Sequence, residues 1–383
     1  MARFIVIVLV LAWVPCTPAT AQTTAQQQFE RGVAYQNGDR VPLDSIQAAD
    51  WYSKAANQGH LQAQMNLAVM YLSGQGVGRD PAMAAQWFTR AAHQGDTTAQ
   101  VTLGLMYASG DGIPRDAVQA VLWFGKAADQ EDSTAQLNLA LMYHTGTGVP
   151  RDLVKAVEWY TKAAEKEFLL AQFNLAEIYA KGNGGVPKDS RKAAAWYTRA
   201  ATQGHADAQN SLGEMYRDGE GVPMDSAQAV EWFARAAGHG HRGGEFNLAT
   251  MYYFGSGVPQ DYSRAFEFFT KAAQRGDPQA QFNLGVLYQT GKEVARDSAR
   301  AAEWFGKAAA QGHSGAQFNL GIMYSSGVGV PVDLVQAYRW ADLAASSGDP
   351  NATRLRASLE TKLTRDQLTD AQRESRVRRA GGP

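Results

Sequence analysis

Apolar and small residues recur along this chain as paired helical stripes. In residues 99 to 130, Ala99, Leu103 and Met106 stand at i, i+4 and i+7, one face of a helix. Gly110-Asp111-Gly112-Ile113-Pro114 then interrupts it, as clustered Gly and Pro break helical backbone. Asp116 follows as an expected N-cap, its carboxylate accepting from free backbone N–H groups. Ala120, Trp123 and Ala127 form the stripe of a second helix, and Gln130-Glu131-Asp132 turns the chain onward. The pattern predicts two helices per unit.

The unit repeats. Trp51, Trp87, Trp123, Trp159, Trp196, Trp232, Trp304 and Trp340 are spaced by 36 residues with a single 37, and Phe268 stands where the series skips. Tyr35, Tyr71, Tyr107, Tyr143, Tyr179, Tyr216, Tyr252, Tyr288 and Tyr324 mark the first helices at the same interval. The extra residue lies in the loop Lys181-Gly182-Asn183-Gly184-Gly185. Asp recurs at 44, 80, 116, 152, 189, 225, 261, 297 and 333. Only Ala or Gly occurs at 68, 104, 140, 176, 213, 249, 285 and 321, which suits close approach of two helix backbones. Nine units are therefore expected, in place of the two or three domains that 383 residues alone would suggest.

The consensus Ala-Gln-x-Asn-Leu-Gly-x-Met-Tyr-x-x-Gly-x-Gly-Val-x-x-Asp, then Ala-x-x-Trp-Phe-x-Lys-Ala-Ala-x-Gln-Gly, resembles the Sel-one-like repeat family. That family is related to tetratricopeptide repeats, whose period is 34 residues. The Gly-x-Gly-Val loop and the period of 36 separate this chain from plain tetratricopeptides. The resemblance covers about residues 25 to 355. It implies an all-α, right-handed α/α solenoid of nine ~36-residue helical hairpins that scaffolds protein partners. Exported bacterial members of the family are often adaptors or regulators in the cell envelope. Its cysteine-rich branch is not matched, because Cys16 is the only cysteine.

Both ends differ from the repeats. Arg3, the apolar run Phe4 to Val14, Pro15, Pro18 and Ala19-Thr20-Ala21 read as a cleaved export signal. The run is too short to span ~30 Å of hydrocarbon. An uncleaved anchor and a lipid on Cys16 are the rival readings. The expected division is a signal peptide at 1–21, nine repeats at 22–355, and a C-terminal capping helix and tail at 356–383. Thr364 and Gln367 have capping-box spacing, and Leu368 and Ala371 would cover the last apolar face. The localisation expected is exported, periplasmic or secreted, with no integral membrane segment after cleavage.

Composition narrows the function. Lys+Arg 36 against Asp+Glu 37, a net charge of -1, argues against a nucleic-acid partner. Loss of Cys16 with the signal leaves no thiol for disulfides or cysteine catalysis. No Ser-x-x-Lys occurs, and Gly312-His313-Ser314-Gly315-Ala316 lacks the last Gly of a nucleophile elbow. No catalytic residue, metal or cofactor is assigned. His60, His205, His241 and His313 share one position with Asp96, Asp132, Asp277 and Asp349, which marks a helix start. His239, His241 and Glu245 form the single local grouping of metal-ligand types, fewer than zinc usually wants.

Partner-binding candidates follow from repeat position. The Trp series and Phe268 read as repeat core, not as a sugar-stacking platform. Asn66, Asn138, Asn174, Asn247, Asn283 and Asn319 either tie repeat to repeat or grip an extended peptide backbone. The residue after the small one faces the groove of related tetratricopeptides. Here it reads Val69, Leu105, Leu141, Glu177, Glu214, Thr250, Val286 and Ile322, acidic in the middle and apolar outside. A protein partner with a basic centre would fit it. Phe168, Leu169 and Leu170 replace small or polar residues and form either a contact patch or a local packing change. The function expected is a non-catalytic interaction scaffold or regulator of another envelope protein; an envelope hydrolase or glycan-binding protein is the alternative.

Overall fold

The computed structural model describes residues 24–292 and 294–379; the export signal expected at residues 1–21, with Cys16, lies outside the described residues. Twenty helices and no strand occur among the described residues. They fall into two compact units, Met1–Lys162 and Ala163–Pro383. The first unit holds α1 (Ala25–Asn37), α2 (Ser45–Asn57), α3 (Leu61–Ser73), α4 (Pro81–His93), α5 (Thr97–Ser109), α6 (Ala117–Asp129) and α7 (Ser133–Thr145). The division falls within α8 (Leu153–Glu165). The second unit continues with α9 (Leu169–Lys181), α10 (Ser190–Thr202), α11 (Ala206–Asp218), α12 (Ser226–Gly238), α13 (Arg242–Phe254) and α14 (Tyr262–Gln274). It ends with α15 (Pro278–Thr290), α16 (Ser298–Ala310), α17 (Ser314–Ser326), α18 (Leu334–Ser346), α19 (Pro350–Glu360) and α20 (Arg365–Arg379). Each unit is an all-α solenoid segment built of stacked hairpins.

Local chemistry sets the hairpin. The first helix stops at a Gly in the left-handed region, such as Gly74 at φ 76, whose N–H reaches the Met70 carbonyl. The second helix starts at the periodic Asp: Asp80 accepts from the N–H groups of Ala82 and Met83. The Asp N–H also donates to the periodic Tyr carbonyl, at 2.8 to 3.0 Å in all nine units. The two most regular letters of the sequence are thus joined by one backbone bond that closes the loop between the helices. The second Gly of that loop meets the previous hairpin. A Cβ on Gly76 would stand 2.1 Å from the Ser45 carbonyl, and one on Gly221 equally close to Ser190. These glycines make a repeat contact and not a phosphate cradle.

Inside each hairpin, the deepest residue of the second helix is the one after the Trp position. Tyr52, Phe88 and Phe124 in the first unit, and Tyr197, Phe233, Phe269 and Phe305 in the second, are buried. The small residue of the first helix receives this ring: a Cβ on Gly104 would stand 2.7 Å from Phe124, and one on Gly285 2.5 Å from Phe305. Close approach of two backbones, expected from the Ala/Gly series, is therefore mostly ring against backbone. It becomes backbone against backbone at the last hairpin. There Ala341 replaces the ring, and a Cβ on Gly321 would lie 3.3 Å from the Ala337 carbonyl. Burying one such ring contributes about 1.5–3 kcal/mol.

The Trp positions sit one layer further out. Trp87, Trp123, Trp232 and Trp340 are buried, whereas Trp51, Trp159, Trp196, Trp304 and Phe268 are half-buried. At every one of these positions but Trp340, where Leu343 stands, a Lys or Arg three residues on lies over the ring. Lys126 is 4.0 Å from the Trp123 centroid, Arg235 4.4 Å from Trp232, Lys271 4.8 Å from Phe268 and Lys307 4.0 Å from Trp304. The cation's stem covers indole surface that would otherwise meet water.

A buried Gln joins consecutive hairpins. Gln64 and Gln100 donate to the Ala56 and Ala92 carbonyls at 3.1 Å, and accept from Gln94 and Gln130 at 2.7 and 2.8 Å. In the second unit Gln172 and Gln281 accept from Gln203 and Gln311, both at 2.9 Å. One repeat uses charge instead: Glu245, 2% exposed, receives Arg275 Nε at 3.1 Å.

The 37-residue repeat absorbs its extra residue in a tight turn. Gly182, Gly184 and Gly185 all have positive φ, and Asn183 and Val186 exchange two backbone bonds at 2.9 Å. At the C-terminal end, Thr364 and Gln367 cap α20 reciprocally at 3.0 and 3.3 Å. Ala371 is buried there with Tyr338, Ala341 and Leu359, and Leu368 packs against them. Among the described residues no helix is long and apolar enough to cross a membrane.

Candidate interaction face

The first helices of each unit bring one repeat position to the surface. In the first unit it carries Val69, Leu105 and Leu141, all exposed. In the second unit it carries Glu177, Glu214, Thr250, Val286 and Ile322, on α9, α11, α13, α15 and α17.

Glu177 and Glu214 line one cavity of about 220 Å³, together with Tyr197, Ser190, Asp218 and Glu220. The face supplies most of its own countercharge. Glu177 accepts from the Tyr197 hydroxyl and from Lys181. Burial, followed by Glu177, holds the Tyr197 pKa well above the usual phenol range, so the hydroxyl remains a donor. Asp218 takes a bidentate pair from Arg217, both bonds at 2.8 Å, and this bond holds its carboxyl below the usual range. Glu220 is lowered in the same sense by Lys188, then by Ser190. Glu214 differs. It accepts from the amides of Asn210 at 3.1 Å and Asn247 at 3.2 Å, and among the described residues no Lys or Arg lies within ion-pair distance of it.

The two readings of the Asn series divide between its members. Asn247 also donates to Asn210 at 2.9 Å, so it ties α13 to α11. Asn138 bonds back to the Thr134 carbonyl at 2.8 Å. Asn174 and Asn283 make no side-chain hydrogen bond among the described residues and are open to a ligand. Thr250 donates to the Phe246 carbonyl at 2.9 Å and lines a second cavity, of about 230 Å³, with Tyr253, Phe254, Phe269, Phe282, Asn283 and Val286.

Phe168, Leu169 and Leu170 are not presented together. Phe168 stands at the N-cap of α9 without a side-chain cap, Leu169 packs into the α9–α11 core, and Leu170 is 52% exposed. The turn before them keeps its left-handed geometry without Gly, at Glu167 with φ 63.

The histidines are structural. Nδ1 of His60, His205, His241 and His313 accepts the N–H three residues on, which makes each an N-cap. The His239–His241–Glu245 grouping is dispersed. His239 pairs with Gln209 at 2.9 Å, His241 Nε2 with Asp207 at 3.1 Å, and Glu245 with Arg275.

The residues that sequence reasoning passed over are the Gln series, the ring after the Trp, Tyr197, and the pair Tyr253-Phe254. A signal existed for the last pair. Where Phe254 stands, the other repeats carry Asn37, Ser73, Ser109, Thr145, Lys181, Asp218, Thr290 and Ser326, all polar.

Known proteins resemble this arrangement. The Sel1 repeat matches nine successive stretches: residues 28–60, 61–96, 97–132, 133–168, 169–205, 206–241, 244–277, 278–313 and 314–349. Among curated proteins none matches the chain. The chain is similar to the crystal structure of a Sel1 repeat protein from Oxalobacter formigenes. The two are 33% identical over 90% of this chain and 98% of that one, with a TM-score of 0.67. It is also similar to a protective antigen present in uropathogenic Escherichia coli strains that displays an SLR fold. There the identity is 33% over 92% of this chain and 91% of that one, with a TM-score of 0.52.

Proposed function

This chain belongs to the Sel1-repeat family, and from that premise we propose that it is an exported, non-catalytic scaffold or regulator of another cell-envelope protein. Sel1 repeats generally mediate protein–protein interactions. The observation that carries the reading is Glu214, a half-buried carboxylate held by two amides at the edge of a cavity on the first-helix face, with Arg217 beyond ion-pair distance. Along that face Glu177 precedes it, and Thr250 and Val286 beyond it are uncharged. Such a carboxylate attracts a basic group from a partner, because Arg217, which acts on it from a distance, is bonded to Asp218 and offsets its charge only in part. The reading of export rests on Phe4 to Val14 and Ala19-Thr20-Ala21.

The test is capture of the partner by the tagged protein from the native envelope, then kinetics with Glu214→Gln. Slower association and a flatter salt dependence are expected, with thermal stability changed by less than about 0.5 kcal/mol. An unaltered rate and salt dependence would overturn the role of Glu214. Mature protein beginning at Gln22 is expected by N-terminal sequencing; Met1 retained, or a lipid on Cys16, would overturn the cleaved export signal.

A further inference from the structure

The repeat around α13 breaks the pattern at two adjacent positions. Phe254, 68% exposed, replaces a polar residue, and Tyr253 puts a phenol ring where the other repeats carry Gln36, Leu72, Ala108, His144, Ala180, Arg217, Gln289 and Ser325. Tyr253 is held in place by rings: edge-on to Phe254 with centroids 5.0 Å apart, and to Tyr262 at 5.2 Å. Tyr253 and Phe254 wall the cavity of about 230 Å³ between α13 and α15, with Phe269, Phe282 and Val286 on its other sides. Leaving a large aromatic ring exposed beside an open apolar hollow forgoes burial that a partner would supply.

The size of the hollow decides what it takes. It is below the roughly 300–1,000 Å³ of sites for drug-sized molecules, and suits one large side chain. Asn283 lines the same hollow, and its amide makes no hydrogen bond among the described residues. An uncommitted carboxamide offers a donor and an acceptor together, the pair that an extended peptide backbone presents in return. Charge fixes the rest of the occupant. Glu214 lies on α11, joined to α13 through Asn247, on the same face. With neighbouring helices about 8–10 Å apart, the cleft between α13 and α15 lies about 15 Å from it, or four to five extended residues.

We infer that this face binds an extended segment of a partner protein that places a large apolar, preferably aromatic, side chain in the Phe254–Phe282 hollow. Asn283 holds the segment's backbone, and a Lys or Arg four to five residues away meets Glu214. This rests on the scaffold reading above and names the partner's chemistry.

The experiment pans a phage-displayed library of random twelve-residue peptides against the purified protein, then measures one labelled winner by fluorescence anisotropy. Enriched peptides should carry Phe, Trp or Leu four to five residues from Lys or Arg. Phe254→Ser, which installs the residue other repeats use, and Asn283→Ala should each weaken binding at least tenfold without altering its salt dependence. Glu214→Gln should flatten the salt dependence while leaving the requirement for the aromatic residue. Unchanged affinity in Phe254→Ser overturns the hollow as the anchor site. Loss in Phe254→Ser with no effect of Glu214→Gln removes the electrostatic half and the role given to Glu214 above, yet keeps the hollow. No enrichment of any peptide overturns the inference. A concentration-dependent dimer abolished by Phe254→Ser would assign the hollow to a second copy of the chain instead.

Discussion

The carboxamide of Gln94 donates to that of Gln64 at 2.7 Å, and Gln64 donates onward to the Ala56 carbonyl at 3.1 Å. One side chain, 3% exposed, thereby satisfies the last turn of α2 and the C-terminus of α4 at once. Replacing it with Ala strands the buried Ala56 carbonyl, while the amide of the exposed Gln94 turns to water. Gln64→Ala is expected to cost about 1–3 kcal/mol. Hydrogen exchange should quicken first in α2 to α4, because a stacked repeat leans mainly on its neighbours. A stability within error of the parent would show that water replaces the relay without loss.

The loop glycines are separable by substitution. Gly112 has φ 75, and a Cβ there would lie 2.4 Å from the Pro81 carbonyl group. Gly78 has no neighbour within 4 Å of such a Cβ. Gly112→Ala is expected to lower stability by about 1–3 kcal/mol through backbone strain alone, with the clash adding to it. Gly78→Ala should stay within about 0.5 kcal/mol. Thermal melts of the two variants check this, and equal melting temperatures would contradict the repeat contact.

Acid should weaken the second unit through its histidine caps. His205 and His313 Nδ1 accept backbone N–H groups at 3.2 and 3.1 Å, which a protonated Nδ1 cannot do. Burial lowers both pKa values below the ordinary 6.5, although Asp207 and Asp277 oppose it. The folded chain therefore binds these protons less readily than the unfolded chain. This contribution is complete above about pH 6.5 and is lost as the pH falls below it. The melting temperature should drop between pH 7.5 and pH 5. The double variant His205→Asn/His313→Asn keeps a capping side chain that does not titrate, so its drop should be shallower. Parallel pH profiles would exclude the two caps as its source.

Much of the fold was legible because Trp and Tyr are rare enough for their spacing to show, and because Asp at a helix start has a single physical purpose. The ring that fills the core was harder to see. It alternates between Tyr52, Phe88, Tyr197 and Phe233, so its period is split between two letters. Gln64 and its counterparts were visible as part of the consensus, but their burial depends on a donor 30 residues on, which no helical stripe reveals. The candidate face was legible by position and misleading by charge. Glu177 and Glu214 look alike in sequence. Only the packing of α10 against α9 puts the Tyr197 hydroxyl on Glu177, and Lys181 one turn along completes its neutralisation.

Within the 36-residue repeats both links between hairpins, the Gln relay and the second loop Gly, reach back by a set interval, 30 residues from Gln130 to Gln100 and 31 from Gly112 to Pro81; across the 37-residue repeat Gln203 reaches 31 back to Gln172. The interval is shared although the pair varies, with His239 on Gln209 and Arg275 on Glu245. A recombination event that duplicates or deletes one whole period inside a unit leaves every surviving donor with an acceptor and every surviving glycine with its carbonyl. Events of any other length strand both. Genes of this kind are therefore free to lengthen and shorten in whole repeats, and a feature confined to one repeat, such as Tyr253-Phe254, is gained or lost as a cassette.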